Sequence, residues 1–283
     1  MEATTTYVKR RTNGQISIKS GNKVEQVMTG TIVILTFLTI LAFFFFNYAG
    51  LDISKAIPET VYNLKTMFLE PALSHFTWGE AIYQVGITLG LAFLATILGA
   101  IIAFFLALMA ATNLSNPWVS RAVRIVVAFI RAVPTVLWVL IFAIAAGLGS
   151  EAAVLGMLFH SIAYLVKAFS ESFEEVDKGI LEALTATGAN WWHIVTHAVL
   201  PSTFTYMLSW TFLRFEINFS VAVAMGAAAG AGGIGFELFM ASGFYFDMRE
   251  VGLITYMILL LAVFLEIMST RLKNRYFPAK ASR

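Results

Sequence analysis

Long apolar stretches separated by polar segments dominate the pattern of hydrophobic and polar positions in this chain. A helix needs about 20 apolar residues to cross a bilayer. Six stretches approach or exceed that length, and the third is interrupted by Pro134. They lie at about 28–47, 82–111, 125–148, 151–169, 202–225 and 251–270. The pattern therefore predicts an all-α integral membrane protein with about six transmembrane helices.

The polar segments divide the chain into further parts. We expect the first apolar run to be a retained span, because it is too long for a signal-peptide core of roughly 7–15 residues. The predicted parts are a cytoplasmic N-terminal tail (1–27), the first transmembrane helix (28–47), an extracytoplasmic segment with a short interfacial helix (48–81), a five-helix core (82–270) with a polar insertion (170–201), and a cytoplasmic C-terminal tail (271–283).

Composition agrees with a membrane protein. The chain is 59% hydrophobic and 13% charged, with a mean hydropathy of +0.78, whereas soluble domains carry about a quarter charged residues. Most of its surface must therefore face something other than water. The absence of cysteine excludes a disulfide framework and a thiol-metal site.

Orientation follows from the distribution of lysine and arginine, because cytoplasmic segments carry the excess of these residues. With the N-terminus inside, six spans place the C-terminus and the 170–201 insertion inside as well. The basic residues then divide unequally: the outside segments hold Lys55, Lys65 and Arg249, and the inside segments hold Lys9, Arg10, Arg11, Lys19, Lys23, Arg121, Arg124, Lys167, Lys178, Arg271, Lys273, Arg275, Lys280 and Arg283.

The insertion at 170–201 combines an acidic start with apolar residues at helical spacing. Gly188 interrupts it and Pro201 closes it. We expect a helix, a glycine turn and a second short helix at the membrane face, with Pro201 ending this segment before the next span begins. Its apolar residues need a partner or lipid to cover them. They are Leu181, Leu184, Trp191, Trp192, Ile194 and Val195.

The spacing of Glu182-Ala183, Gly188 and Leu200-Pro201 resembles the EAA loop of ABC importer permeases. The resemblance implies that this loop is a coupling helix held in a groove of a separate ATPase subunit. Two residues depart from the family pattern, because Leu184 replaces an Ala and Ala198 stands where Ile is favoured. The alternative interpretation is an ordinary amphipathic connector.

Further segments resemble permeases of the phosphonate importer family over roughly 80–270: RAVPTVLW (131–138), KAFSESFEEVDKGILEALTATGA (167–189), LRFEIN (213–218) and GAGGIGFEL (230–238). The resemblance implies a type I ABC importer permease fold in a bacterial inner membrane and import of a small oxyanion by alternating access. The first expectation for this oxyanion is a phosphonate, with phosphite and phosphate esters as the alternatives. The implied partners are a second permease chain (identical or paralogous), an ATPase dimer that binds ATP and Mg, and an extracytoplasmic substrate-binding protein. The chain itself would bind no cofactor. The family commonly has a further Arg where this chain reads Phe219-Ser220-Val221.

Four polar residues are candidates for the translocation pathway: Arg131, Arg214, Glu216 and Asn218. Ionisable groups within a span are costly and usually face a bundle interior or a pathway. Helical geometry points Arg214 and Glu216 about 200° apart, whereas Arg214 and Asn218 share a face. The alternative for Arg214 is a buried contact between helices, and for Arg131 a side chain that reaches the cytoplasmic face.

Gly230, Gly232, Gly233 and Gly235 are candidates for an outer gate. Their spacing fits the dinucleotide fingerprint, but that motif needs a strand before it and a helix after it, whereas this one follows a span. We expect a bend or close helix packing, with anion binding by the glycine amides as an alternative.

The sequence offers few other candidates for chemistry. His193 and His197 have the spacing of a helical metal site but no third ligand, so we expect no metal. No P-loop motif occurs, so any ATP hydrolysis requires a separate subunit, and we expect no enzymatic activity. An ion-coupled secondary transporter or channel is the alternative function, and it leaves the EAA-like loop unexplained.

Overall fold

The computed structural model describes residues 7–10, 16–19, 23–46 and 52–276. It divides into two compact units, residues 1–59 and 60–283. The first unit contains the antiparallel strands β1 (Tyr7–Arg10) and β2 (Ile16–Lys19) and the helix α1 (Lys23–Phe45). Every residue of α1 is exposed, as expected of an apolar helix that lipid surrounds. Much of both predicted tails, 1–27 and 271–283, lies outside the described residues.

Helix α2 (Ile53–Leu69) runs from the first unit into the second. The second unit continues with α3 (Trp78–Ala110), α4 (Pro117–Ala132), α5 (Thr135–Ala146), α6 (Ser150–Glu174), α7 (Lys178–Ala186), α8 (Trp191–Ile194), α9 (Leu200–Ala229), α10 (Ile234–Gly243) and α11 (Met248–Tyr276). Five helical segments of the described chain are long and apolar enough to cross a membrane, and the bent pair α4–α5 provides a sixth. The predicted number of about six spans is confirmed.

Small residues allow α3, α6 and α9 to form the centre of the second unit. A Cβ atom on Gly99 of α3 would stand 2.9 Å from the Cβ of Ser161 on α6, so the two helices approach closely, as small residues permit in membranes. Gly156 packs against the backbone of Val139 on α5 in the same way. Large side chains on the outer faces of these helices, such as Phe93 and Phe105, are exposed. This packing places polar side chains of three helices around one buried point.

The third predicted span is two helices that meet at 91°. Pro134 stands at the start of α5, where a residue without a backbone N–H interrupts no helical hydrogen bond. The indole N–H of Trp138 donates to the carbonyl of Ile130 at 3.0 Å, which ties the two helices together across the corner. The interruption predicted at Pro134 is therefore a sharp change of direction.

Pro201 does not end a helix, and that expectation was wrong. The chain is helical without a break from Trp191 to Ala229, and Pro201 lies in the first turn of α9. A π-helical segment, Val195–Val199, precedes it. A proline in continuous α-helix would remove one hydrogen bond and clash with the carbonyl four residues earlier, and the wider π turn changes the local spacing at this point.

Candidate functional site

The segment after α6 has the predicted helix, glycine turn and short helix. The carboxylate of Asp177 begins α7 by accepting hydrogen bonds from the N–H groups of Gly179 (2.7 Å) and Ile180 (3.3 Å). Gly188 has a φ of +79°, a left-handed conformation that favours glycine. The side chain of Asn190 then caps α8 by accepting from the N–H of His193 at 2.9 Å. Sequence-local hydrogen bonds therefore determine this conformation.

Three of the EAA-like residues, with two apolar neighbours, form an exposed surface, which we call the coupling surface: Glu182, Ala183 and Gly188, with Ile180 and Trp192. Leu200 is half-buried and Pro201 is exposed at the start of α9. Two large apolar side chains of this surface, Ile180 and Trp192, are 48% and 57% exposed. Exposed apolar side chains of this kind indicate a surface that another molecule covers.

The coupling surface is anchored to the helix ends beside it. The indole N–H of Trp191 donates to the carbonyl of Leu114, between α3 and α4, at 2.8 Å. The carboxylate of Glu174, at the end of α6, accepts from both the N–H and the hydroxyl of Thr112 at 2.6 Å each and forms an ion pair with Arg124. A displacement of α8 beside this surface therefore acts on the segment between α3 and α4, which Glu174 in turn joins to α6.

Arg214 and Asn218 meet on one face of α9, as their spacing predicts, and both are buried. The Nε–H of Arg214 donates to the hydroxyl oxygen of Ser161 at 3.0 Å. The amide nitrogen of Asn218 donates to the same oxygen and to the hydroxyl oxygen of Thr96, each at 2.8 Å. Polar side chains from α3, α6 and α9 thus converge inside the apolar core.

Glu216 and Arg131 lie elsewhere, so the structure does not bring the four pathway candidates into one site. Glu216 lines an open groove of about 490 Å³ on a different face of α9 from Arg214. Arg131 is exposed in the last turn of α4. The groove is lined by Thr135, Val136, Glu216, Ile217, Ser220, Val221, Ala224 and Met225.

The glycine-rich segment forms a bend that side chains of α3 hold in place. The N–H of Gly233 donates to the side-chain oxygen of Gln84 at 3.0 Å, and the N–H of Ile234 donates to the hydroxyl of Thr88 at 2.9 Å. Gly230, Gly232 and Gly233 have positive φ values between 60° and 77°. The amides of Gly233 and Ile234 are therefore already bonded within the chain, which argues against their use as an anion cradle.

Gly235 brings α10 against α9. A Cβ atom at this position would stand 1.8 Å from the carbonyl oxygen of Val223, and one on Gly226 would stand 2.7 Å from the nitrogen of Phe236. The two helices therefore pack closely at these glycines, which is one of the two roles that the sequence predicted for them.

A polar cluster near the start of α11 was not predicted. The buried carboxylate of Glu250 accepts from the N–H groups of Ser74 (3.1 Å) and His75 (2.9 Å) and from Nδ1 of His75 (2.7 Å). The ring of His75 stacks on that of Tyr245, with 3.9 Å between centroids. These contacts join segments more than 170 residues apart, and the only local sign of them is the pair of acidic residues Asp247 and Glu250 at the start of an apolar helix.

The surroundings of Asp247 favour its ionised form. Burial alone would raise the pKa of Asp247, but hydrogen bonds from Ser74 and from the N–H groups of Glu250 and Arg249, with the nearby His75, lower it. Asp247, Glu250 and His75 offer ligand atoms within 4.8 Å of one another.

The rings of His193 and His197 are 5.9 Å apart, and the described residues provide no third ligand beside them.

The chain is similar in sequence to one protein family and to several transport permeases. Residues 103–278 match the family described as "Binding-protein-dependent transport system inner membrane component". The Phosphate-import permease protein PhnE of Mycolicibacterium smegmatis is 35% identical over 176 residues, 62% of this chain and 33% of that protein. The Phosphite transport system permease protein PtxC of Stutzerimonas stutzeri is 33% identical over 190 residues, 67% of this chain and 68% of that protein. The match thus spans a third of the first relative and about two thirds of the second.

Solved structures show the same fold at low identity. The inward-facing MetNI methionine ABC transporter aligns with a TM-score of 0.64 and 18% identity, over 72% of this chain and 99% of that chain. A bacterial alginate ABC transporter, in complex with an alginate pentasaccharide-bound periplasmic protein, aligns with a TM-score of 0.57 and 13% identity, over 89% of this chain and 96% of that chain. At these identities the likeness concerns the fold alone.

Proposed function

The chain belongs to the family of binding-protein-dependent transport system inner membrane components, and we propose that it imports a small phosphorus oxyanion, in the first instance a phosphonate. It is a multi-pass membrane protein with the type I ABC importer permease fold, and it is a transport subunit and not an enzyme. The resemblance seen in the sequence to ABC importer permeases is confirmed.

The coupling surface is the observation that supports an ATP-driven mechanism. It combines exposed apolar side chains with a glycine-dependent turn, and the hydrogen bond from Trp191 to Leu114 ties the adjoining helix α8 to the segment between α3 and α4. An ATPase subunit that carries ATP and Mg would cover this surface from the cytoplasmic side. A second permease chain, identical or paralogous, and an extracytoplasmic binding protein would complete the importer.

The substrate assignment rests on the relatives and on one buried charge. The two relatives at 33% and 35% identity are named for phosphite and phosphate import, whereas the methionine transporter shares the fold at 18% identity. Arg214 is 2% exposed and would favour an anion in its neighbourhood. A phosphorus oxyanion is therefore favoured over an amino acid.

Transport would proceed by alternating access. Closure of the ATPase dimer on ATP moves the coupling surface, and the helices joined to it rock to open the opposite side. Hydrolysis resets them. A ligand shifts such an equilibrium only through different affinities for the two states, so ATP and the loaded binding protein drive the cycle, and the permease holds its substrate weakly.

Gly188 provides the test of ATPase coupling. No atom lies within 4 Å of a Cβ built at this position, so a substitution acts through backbone conformation and not through a clash. We expect Gly188→Val to prevent co-purification of the ATPase and to reduce uptake at least about tenfold, because a β-branched residue strongly disfavours positive φ. Gly188→Asn is the matched control, since Asn tolerates this conformation, and it should retain both properties.

The energy source and the substrate are tested separately. Uptake of radiolabelled methylphosphonate should stop when ATP is depleted and persist when ion gradients collapse. The opposite result, with no ATPase co-purifying, would establish the ion-coupled secondary transporter instead. Thermal-shift screening of the cognate binding protein against phosphonates, phosphite, phosphate esters and methionine then identifies the cargo, and stabilisation by methionine alone would refute the oxyanion assignment.

A further inference from the structure

Three of the four buried side-chain atoms without a hydrogen-bond partner, among the residues that the structure describes, lie in one region of the second unit. They are Nη2 of Arg214, Oδ1 of Asn218 and Nδ1 of His160. A buried polar atom without a partner costs about 1–3 kcal/mol. Their grouping indicates that a polar molecule completes the arrangement during the transport cycle.

The hydrogen-bond network determines which atom of Asn218 is free. The hydroxyl of Ser161 donates to the carbonyl of Met157 and that of Thr96 donates to the carbonyl of Ala92, each at 2.6 Å. Both hydroxyl oxygens can therefore only accept from the amide of Asn218, so its nitrogen must face them. This leaves its carbonyl oxygen as a free acceptor beside the free donor of Arg214.

Arg214 also lacks a counter-ion. Within the described part of the chain no carboxylate lies within 4.0 Å of its guanidinium, and Glu216 points to the groove on another face of α9. The partners of Arg214 are the hydroxyl of Ser161 and the ring of Tyr164, whose centroid is 5.3 Å from Cζ. A buried charge without an opposite charge is strongly destabilising, so an anion is the ligand that this region favours.

His160 extends the region toward solvent. It precedes Tyr164 by one turn of α6, so the two side chains share a face, and Arg214 covers the ring of Tyr164. His160 is half-buried and lies within the electrostatic influence of both Arg214 and Arg131. Burial increases along three basic groups: Arg131 is exposed, His160 is half-buried and Arg214 is buried.

We propose that Arg214, Asn218 and His160 form a transient binding site for one tetrahedral oxyanion that retains a hydroxyl, and that Arg131 attracts the anion toward it. This inference rests on the proposed function and adds the residues that contact the cargo. The guanidinium and the imidazole donate to the anionic oxygens, as guanidinium groups commonly do with phosphates. The carbonyl of Asn218 accepts from the hydroxyl, which favours singly protonated phosphorus oxyanions over anions without a proton.

The site is closed in this structure, because Arg214 is 2% exposed and Asn218 is fully buried. Both side chains bridge α9 to α3 and α6 through Ser161 and Thr96. An oxyanion can reach them only when these helices separate. The state with separated helices is therefore the one that binds substrate.

Two substitutions distinguish a substrate site from a purely structural cluster, measured in the complete importer reconstituted in vesicles with its binding protein. His160→Leu removes a side chain whose Nδ1 has no partner to lose, so a structural role predicts unchanged or higher thermal stability and unchanged uptake. A substrate site predicts that methylphosphonate uptake falls about tenfold, which corresponds to about 1.4 kcal/mol, while the ATPase still co-purifies.

Asn218→Asp gives the second test. If the cluster is structural, the new carboxylate neutralises Arg214 in exchange for the two hydrogen bonds that the amide nitrogen donates to Thr96 and Ser161, and it leaves uptake by the assembled complex unchanged. If Arg214 serves the substrate, the same neutralisation lowers uptake at least about tenfold in an assembled complex. Thr211→Val is the control, because Thr211 also lies on α9 and its hydroxyl bonds only to its own helix, at the carbonyl of Met207. It should retain normal uptake.

The outcomes separate this inference from the proposed function. If the wild-type importer takes up methylphosphonate and both variants take it up equally well, the inference is overturned and the proposed function stands. Loss of uptake by the Thr211→Val control as well would also overturn it, since any change to α9 would then suffice. Failure of the wild-type importer to transport any phosphorus oxyanion would refute the proposed function itself.

Discussion

Gln84 and Thr88 show how much of this fold depends on single polar side chains. They bond the first N–H groups of α10, which are unpaired at the start of any helix, from positions about 150 residues earlier in the chain. Gln84 also donates to the carboxylate of Glu237 at 2.9 Å. The local sequence of α10 begins with glycines and contains no capping side chain, so these contacts are visible only in three dimensions.

Glu237 makes stability depend on pH. Burial raises its pKa above the ordinary 4.5, the charge of Glu250 adds to this effect, and the hydrogen bond from Gln84 opposes it. A carboxyl with a raised pKa contributes stability below its unfolded value, and this contribution is lost as pH rises through the folded value. We therefore expect Glu237→Gln, which keeps an oxygen to accept from Gln84, to melt at a higher temperature than wild type at pH 8.

The difference in melting temperature should shrink to nothing near pH 4, where wild-type Glu237 is protonated. Fluorescence-monitored melting in detergent between pH 4 and pH 8 measures it. Glu59→Gln is the control, because Glu59 is exposed on α2. A variant that is less stable than wild type at pH 8 would contradict the prediction.

His160 marks the limit of what the sequence shows at this scale. Arg214 and Asn218 could be identified because charged and amide side chains are rare within an apolar span. His160 also stands out within the apolar sequence of α6, but its nearness to Arg214 depends on how α6 and α9 pack. A second sign was its helical spacing from Tyr164, an aromatic residue that an arginine can cover.

At the scale of elements, backbone contact between glycines holds α10 against α9. We expect Gly235→Ala to destabilise the protein by about 1–3 kcal/mol or more, because its Cβ would overlap the carbonyl oxygen of Val223, a backbone atom that cannot rotate away. Thermal melting measures the effect. Gly243→Ala, at the end of α10 with its nearest neighbour a side-chain carbon at 3.7 Å, should change stability by less than about 0.5 kcal/mol.

Equal melting temperatures for these two variants would show that α10 does not pack on α9 through Gly235. The comparison is matched, since both substitutions add one methyl group to a glycine of the same helix. Only the close approach of α9 differs between them.

Hydropathy predicted the long helices well and their interruptions less well. Apolar length alone located α1, α3, α6, α9 and α11, because the bilayer fixes how long a spanning helix must be. Pro134 marked the corner between α4 and α5 correctly, but not its angle, which depends on packing around Trp138. The prediction that Pro201 ends the preceding segment was wrong, because a proline in the first turn of a helix is compatible with helix on both sides when a π turn precedes it.

At the scale of the whole molecule, the proposed orientation can be tested because the chain contains no cysteine. Thr187→Cys and Ser242→Cys each introduce one exposed thiol, beside Gly188 and in α10 respectively. We expect a membrane-impermeant maleimide applied to intact cells lacking an outer membrane barrier to label only the second variant. Inside-out vesicles from which the ATPase has been stripped should give the reverse pattern, since a docked ATPase would cover Thr187.

Labelling of both thiols from the same side would contradict the orientation and, with it, docking of an ATPase on the coupling surface. Uptake by each variant, measured before labelling, provides the control for correct insertion. Both positions lie outside the packed core, so normal uptake is expected.

The unbroken helix from Trp191 to Ala229 has a mechanical consequence. Its 39 residues span about 58 Å at 1.5 Å per residue. This single helix carries Trp192 at one end and Arg214 near its middle, and the glycine bend follows its other end. A displacement of Trp192 is therefore transmitted to Arg214 along one continuous helix, with the π turn at Val195–Val199 between them. We expect substitutions that convert this turn to regular α-helix to change the rate of transport without altering any residue of the proposed substrate site.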